Sequence, residues 1–447
     1  MLRKRLLRQA GIMRLWLIPG MRVKRYVSVA VIGTLLLVVG VILGVLWILQ
    51  ERRDVISTPL EEVLVSQGWH LWGGWISAFS VLIGLSLSIS AVARLNRSLL
   101  SNWFPRPKEA AYVLSQRLSL AKGPKIVALG GGTGLSNLLR GLRNHSSNLT
   151  AVVTVSDDGG SSGRLRTAFN MPAPGDISDC LAALSDNESE LSRLLEYRFL
   201  RGNELKGHTF GNLFITTLTE VEGDFGKAIR TLNALLNLTG AVYPATPEVV
   251  SLHAEKQSGE QVIGESNMRL VAGAVKKVSI EPSHPPPTPE VLNAIIEADA
   301  IILGPGSLFT STLPPLLVPA IRRALQGTHA QIIYVCNIMT EAGETDGFSA
   351  LDHVQAIYNH LGRYPDKVIV NGTPIDEARL MRYREENAEI VSFDSAAFEQ
   401  LGIELLPLPI LGSGPHAQHD SLALANWIST YAKRGPVSSL RKELVSA

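Results

Sequence analysis

Two long uncharged apolar runs open the chain, and short apolar runs alternating with helical patterns fill the rest. Residues 26–50 (YVSVAVIGTLLLVVGVILGVLWILQ) carry no charge, and neither do residues 63–93, whose centre at 75–92 is strongly apolar. Each is long enough to cross a hydrocarbon core, which takes about 20 residues. Trp47 near the end of the first run, with Trp69, Trp72 and Trp75 at the start of the second, suits an interfacial aromatic belt. The first run exceeds the apolar region of a signal peptide, and no small-residue cleavage site follows it. The pattern predicts a two-helix transmembrane hairpin over residues 26–96. Residues 97–122 then read as a linker. Pro105 and Pro107 break any helix continuing from the membrane, and residues 109–120 form a short amphipathic helix.

From Lys125 the period changes. Apolar β-type runs at 126–129, 152–155, 300–303, 331–336 and 367–370 predict strands, with helical patterns at 289–297, 316–325 and 349–361. This rhythm predicts an α/β fold over residues 123–433: a doubly wound, mostly parallel, Rossmann-like sheet. Residues 186–240 read as a mainly helical insertion. Residues 249–281 read as short antiparallel strands that turn at Ser258-Gly259. The Pro-rich stretch 283–289 is a surface connection, and residues 434–447 form a flexible tail.

Charge adds direction to the hairpin. The net charge of +2 implies no field for a polyanion, so nucleic acid is excluded as a partner. The arm over residues 1–25 nevertheless carries eight Lys/Arg, and the first 50 residues carry no acid. Arg94, Arg97, Arg106 and Lys108 follow the second run, whereas the short stretch between the runs sets only Arg52 and Arg53 against four acids. The distribution puts both termini and the main domain in the cytoplasm, tethered to the cell membrane. The arm either touches anionic head groups of the lipid bilayer or serves as a topology signal alone. Cys180 and Cys336 lie far apart in apolar contexts, which predicts buried free thiols.

The chemistry gathers where strands end. The first β-type run leads into GGGTGLSNLLRGLR, which offers Gly131, Gly132, Thr133 and Gly134. The second leads into SDDGGSSGRLR, which offers Asp157, Asp158, Gly160, Ser161, Ser162 and Arg164. Glycine lets a backbone approach a phosphate, and the helix behind presents unpaired N–H groups and a positive dipole end. Neither loop is a dinucleotide fingerprint or a P-loop, and either glycine set alone also suits a tight turn. Two adjacent loops favour a nucleotide site in one crevice. Asp157 and Asp158 are candidate Mg²⁺ ligands beside a diphosphate, alternatively groups that orient a hydroxyl or cap the next helix. Arg166 suits either a ligand contact or an exposed helical position. Asp176, in PGDISD, is an N-cap or a ligand group. His208 and Asn212, in GHTFGN, are structural or ligand-binding. Gly304, Gly306 and Ser307 follow the run at 300–303, and Asn337 and Thr340 follow the run ending at Cys336. No serine or cysteine nucleophile motif stands out.

These stretches, together with GPGSLFTSTLPPLLV and CNIMTEAGETDGFSALDHV, resemble the YvcK-type gluconeogenesis factors of the CofD-like (2-phospho-L-lactate transferase) superfamily over residues 123–395. The second loop is similar to the YvcK branch and departs from the Asn-Thr-x-Asp-Asp loop of the transferases. The resemblance implies a UDP-sugar-binding regulator linked to cell shape and cell-wall precursor supply during gluconeogenic growth, with a cell-wall synthesis or regulatory protein as partner. The alternative it implies is an Mg²⁺-dependent phospholactate-transferase-type enzyme using a nucleotide diphosphate donor. The hairpin, which many relatives lack, departs from the family's usual soluble placement.

Overall fold

The computed structural model describes residues 23–50, 67–100, 110–185 and 188–432. The arm before residue 23, the Arg52–Arg53 stretch, Pro105, Pro107 and the tail after residue 432 lie outside the described residues. The chain divides into two compact units, Met1–Gln116 and Arg117–Ala447.

The first unit is a pair of long helices, α1 (Val23–Gln50) and α2 (Gln67–Leu100), packed antiparallel. Small residues let the two backbones approach. Gly33 and Gly44 face Ser88 and Ser77, and a Cβ on Gly84 would lie 2.6 Å from the Leu37 nitrogen. The Ser77 hydroxyl donates to the Gly40 carbonyl (2.7 Å) and Ser80 to Leu36 (2.9 Å). Such close seams, with serine hydroxyls bonding across them, characterise helix pairs in lipid. The opposite faces leave Val31, Leu35, Phe79 and Trp75 exposed, the last at 74%. Residues 25–49 and 72–98 are long and apolar enough to cross a membrane.

α3 (Ala110–Ala121) precedes the α/β unit. There β1 (Ile126–Gly130), α4 (Gly132–Leu142), β2 (Leu149–Val153), α5 (Gly160–Phe169) and α6 (Gly175–Leu184) come first. The insertion follows as α7 (Glu188–Leu195), α8 (Phe210–Glu222) and α9 (Phe225–Leu235). Next come β3 (Ala241–Pro244), β4 (Ser251–Lys256), β5 (Gln261–Ile263), α10 (Glu265–Met268), β6 (Val275–Glu281), α11 (Pro289–Glu297) and β7 (Ala300–Leu303). A π-helical turn (Leu308–Thr312) leads to α12 (Pro314–Leu317), α13 (Pro319–Gly327), β8 (Gln331–Val335), α14 (Ala350–Leu361) and β9 (Lys367–Asn371). The chain ends through α15 (Glu377–Glu385), α16 (Ser395–Gln400), β10 (Glu404–Leu408) and α17 (Ser421–Ala432).

The main sheet has seven strands in the order β10-β9-β8-β7-β1-β2-β3, and every neighbouring pair is parallel. β1 and β7 are buried at every residue, because helices cover both faces. The chain winds outward from β1 to β3, then returns to the other side of β1 and winds outward again from β7 to β10. The switch point is therefore the β1/β7 boundary, where the ends of the strands open a crevice. A smaller antiparallel sheet, β5-β4-β6, forms a wing that turns at Gly259 (φ +90°) as the sequence predicts.

Two local expectations need correction. The helix expected at 316–325 is two helices, α12 and α13. Pro319 has no N–H to continue the ladder and holds Val318 extended (φ −68°, ψ 114°). The second strand lies at Leu149–Val153 rather than 152–155, so Thr154 and Val155 already belong to the loop. Both cysteines are buried free thiols.

Candidate functional site

At the switch point, β1 feeds α4 through Gly131, whose extended backbone caps the helix without a side chain. Gly132 has φ +61°, and the space above its Cα is open. Gly134 differs, since a Cβ there would stand 2.5 Å from the Pro305 carbonyl oxygen. Gly134 thus lets the loops after β1 and β7 touch.

The second loop follows the same plan. Gly160 has φ +50° beneath open space, whereas a Cβ on Gly163 would strike the Asp158 backbone. Neither aspartate caps α5, whose N-cap is Gly159. Asp157 instead accepts the Gly159 N–H (2.8 Å), and Asp158 accepts the Ser266 N–H (2.9 Å). Ser161 meets His208 Nδ1 at 2.9 Å and accepts from Asn212 Nδ2 at 3.1 Å, and Asn212 also reaches Ser162. Thus His208 and Asn212, from the insertion, lock the start of α5. Arg164 is exposed and donates to the Lys206 carbonyl (3.2 Å). Arg166 is buried and committed to the carbonyls of Ser156 and Val250. Asp176 sits in the first turn of α6 behind the N-cap Pro174, so it is not the cap. A Cβ on Gly131 would meet its carboxylate, which also takes a hydrogen bond from the Gly132 N–H.

Across the switch point, Gly304 (φ +77°) lies close to the Val335 carbonyl, beneath the loop that carries Gly306 and Ser307. The Ser307 hydroxyl donates to Glu341 (2.5 Å), whose other oxygen accepts from Asn337 (3.1 Å). Thr340 is buried, and its hydroxyl accepts the Glu389 N–H (2.8 Å). A cavity of about 230 Å³ opens between these loops and α4. Thr133, Gly134, Gly306, Asn337 and Thr340 line it from the predicted set. Tyr383, Gln418 and His419 line it from segments that carried no prediction.

Carboxylates crowd the other side. Burial, then the charge of Asp157, pushes the Asp176 carboxyl up to about 7. Burial and the charges of Asp157 and Asp176 push Glu265 up to about 9. Asp157 is also raised by burial, against the pull of its Gly159 and Ser162 hydrogen bonds. Glu344, fully buried, rises to about 7 through burial and the neighbouring Glu341. Burial lowers His208, with Arg164 adding to the effect.

Sequence reasoning missed Glu265, Arg269, Tyr383, Gln418 and His419, and placed Glu341 and Glu344 at the crevice edge without giving them a role. Glu265 and Arg269 lie in a four-residue helix and its C-cap, between wing strands. Tyr383 belongs to α15, a charged helix with no fully buried residue. Only the fold brings them to the crevice.

A parallel sheet with helices on both faces and a cavity at its switch point defines a doubly wound α/β protein. The family model described as 2-phospho-L-lactate transferase CofD matches residues 126–411. The chain belongs to this CofD-like family, in the group that carries the gluconeogenesis-factor name. The gluconeogenesis factor of Bacillus subtilis is 44% identical over 288 residues, 64% of this chain and 91% of that protein. A relative from Deinococcus radiodurans with the same designation is 42% identical over 434 residues, 94% of this chain and 90% of the relative. That span reaches well beyond the α/β unit, into the region of the two long helices. A crystal structure of a Bacillus halodurans protein superposes with a TM-score of 0.66 at 42% identity, covering 70% of this chain and all of that one.

Proposed function

We propose that this chain is a membrane-tethered, nucleotide-sugar-binding regulator that couples UDP-sugar level to cell-wall precursor supply and cell shape during gluconeogenic growth. One observation carries the reading: the loops after β1, β7 and β8 line one cavity of about 230 Å³ at the switch point, and the β2 loop follows the strand next to β1. Tyr383, Asn337 and Gln418 offer an aromatic face and amides for a base and ribose. The open N-terminus of α4, under Gly132, offers N–H groups to a diphosphate. The proposed ligand contacts on this side are Gly131 to Gly134, Gly304, Gly306, Ser307, Asn337 and Thr340. Gly160, Ser161, Ser162, Arg164, Asp176, His208 and Asn212 complete the set on the other side.

Mg²⁺ is the proposed companion ion. Among the described residues no three acidic, histidine or cysteine side chains stand at metal-ligand spacing. The ion would therefore take Asp157 and Asp158, with phosphate and water completing its shell, as Mg²⁺ prefers. The close glycine–serine seam of α1 and α2 and their exposed apolar faces support the membrane tether, and the basic arm supports cytoplasmic termini. Calorimetry of the full chain with UDP-sugars tests the binding reading. Affinity no better than for uridine would overturn it.

One observation favours a second reading, a phospholactate-transferase-type enzyme. Asp176 and Glu265 hold protons near neutral pH, as a general acid would. Incubation with nucleotide sugar, Mg²⁺ and cytosolic acceptors decides between them. Steady release of UMP or UDP that requires Asp157 would favour the enzyme, and an intact nucleotide sugar favours the regulator.

A further inference from the structure

The segment after β5 straddles the crevice. At one end the Ser266 N–H holds Asp158 (2.9 Å) on the β2 loop. Three residues on, Arg269 reaches the loops after β7 and β8. Its Nε donates to Glu344 (3.1 Å), and one terminal nitrogen donates to both Glu341 (3.2 Å) and Ser307 (3.1 Å). The side chain remains 61% exposed despite these partners. Glu341, which it shares with Ser307 and Asn337, also lines the cavity. The guanidinium therefore lies against a residue that lines the cavity and feels the field of Glu265 on the acidic side.

The other arginines of the crevice are occupied differently. Arg166 is buried on backbone carbonyls, and Arg164 turns to Lys206. Yet a diphosphate here would lie near Asp157, Asp176 and Glu265, and needs a cation with a free face. Arg269 also stands on a rigid mount. The fully buried Lys256 ammonium donates to the carbonyls of Met268 (2.8 Å), Val271 (2.8 Å), Gly273 (3.0 Å) and Gly343, fixing the turn independently of the arginine's own ion pairs. Glu344 keeps a second, buried oxygen with no hydrogen-bond partner. Its contact with Arg269 is a single one, not a fork on both oxygens.

We propose that Arg269 is a diphosphate-gripping residue, parked on Glu341 and Glu344 until the ligand arrives. An incoming diphosphate takes the planar fork, which matches two phosphate oxygens better than the split contact it replaces. Glu341 keeps the hydrogen bonds from Ser307 and Asn337. The proposal rests on the reading that a diphosphate occupies this crevice.

The test is calorimetry on the full chain in detergent, with inorganic pyrophosphate, UDP and uridine as probes. Arg269→Gln should weaken pyrophosphate and UDP about tenfold or more and leave uridine within about twofold. Arg269→Lys should fall between. Glu341→Gln should tighten both anions a few-fold, because it removes a competitor for the fork; a merely structural Glu341 would weaken them. Unchanged pyrophosphate binding in Arg269→Gln, with a wild-type melting temperature, overturns the proposal, and so does weaker anion binding in Glu341→Gln. Pyrophosphate binding that depends on Arg269, with no gain for UDP over pyrophosphate, would sink the nucleotide reading and leave the arginine assignment standing. A wild-type chain that binds no probe overturns both.

Discussion

On the β1–β2 side of the crevice, Asp157, Asp176 and Glu265 face one another, and the nearest guanidinium, Arg166, is held by carbonyls. Their protons are held above the usual carboxylate range by burial and mutual repulsion. On the β7–β8 side, Glu341 and Glu344 lie against Arg269, and the wing beneath is fastened by Lys256. Both sides are acidic, but on one the guanidinium pairs directly with the carboxylates, whereas on the other Arg166 acts on them only through its field while bonded to carbonyls. The first side is therefore arranged for something positive to arrive, a proton or a metal ion. The second has a positive group that something negative can borrow.

The largest effect should come from breaking the fastened side. Lys256→Met keeps the length of the chain but strands four carbonyls that now share one ammonium. Leaving such groups buried without a partner should cost about 3–5 kcal/mol of stability. Urea unfolding measures it, and a loss under about 1 kcal/mol would mean the wing does not depend on the lysine.

Next comes the boundary between the two sides, where the first two glycine loops divide their labour in the same way. Gly134→Val drives a branched side chain into the Pro305 carbonyl and should cost about 3 kcal/mol. Gly132→Ala meets open space and only the strain of a left-handed backbone, about 1 kcal/mol, while altering the surface above α4. Equal losses at the two positions would erase the distinction between packing glycine and open glycine.

That distinction marks where the sequence stops being legible. Strand ends, glycine loops and the hairpin show through local period and composition, and β1, β7, β8 and β9 lie where their apolar runs predict. Buried parallel strands read as unbroken β-branched runs, so they are easy to see. The edge strands β3 and β10 are short and only partly buried, and their runs carry too little signal. The site is half legible for the same reason. Asp157 sits in the loop after β2, and Ser161 and Asp176 sit in the first turns of α5 and α6, in glycine-rich stretches that the sequence marks. Glu265, Arg269 and Tyr383 arrive from a wing turn and a polar helix, and their placement is a property of tertiary packing. No local pattern encodes that Lys256 will be buried among four carbonyls.

The side without a direct ion pair can be read by pH. The folded chain holds the Asp176 proton up to about pH 7, whereas the unfolded chain releases it near 3.8. Between those values the folded state binds more protons, so stability falls as pH rises toward 7 and levels off above. Asp176→Asn should therefore match wild type at pH 4 and exceed its stability at pH 8, by at most the roughly 4 kcal/mol that the whole shift corresponds to. Thermal melting across that range reads the difference, and parallel curves for the two proteins would count against a buried proton. Millimolar Mg²⁺ should raise the melting temperature of wild type more at pH 8 than at pH 5, because the ion supplies a counter-charge in direct contact. No difference between the two pH values would remove the metal from the proposal.

The smallest effect concerns how the acidic side is held in place. The Ser161 hydroxyl accepts from Asn212 Nδ2 (3.1 Å) and is hydrogen-bonded to His208 Nδ1 (2.9 Å). Burial and the nearby Arg164 keep that ring neutral at pH 7. His208→Ala should cost only about 1 kcal/mol, one net hydrogen bond, since Asn212 still holds the serine. It should also leave the Ser161 hydroxyl without its histidine partner at the open end of α5. If that end meets a ligand oxygen, UDP-sugar affinity changes while Arg269-dependent pyrophosphate binding on the other side does not. If both probes shift together, the two sides of the crevice act as one site, and the contrast between them belongs to the empty protein alone.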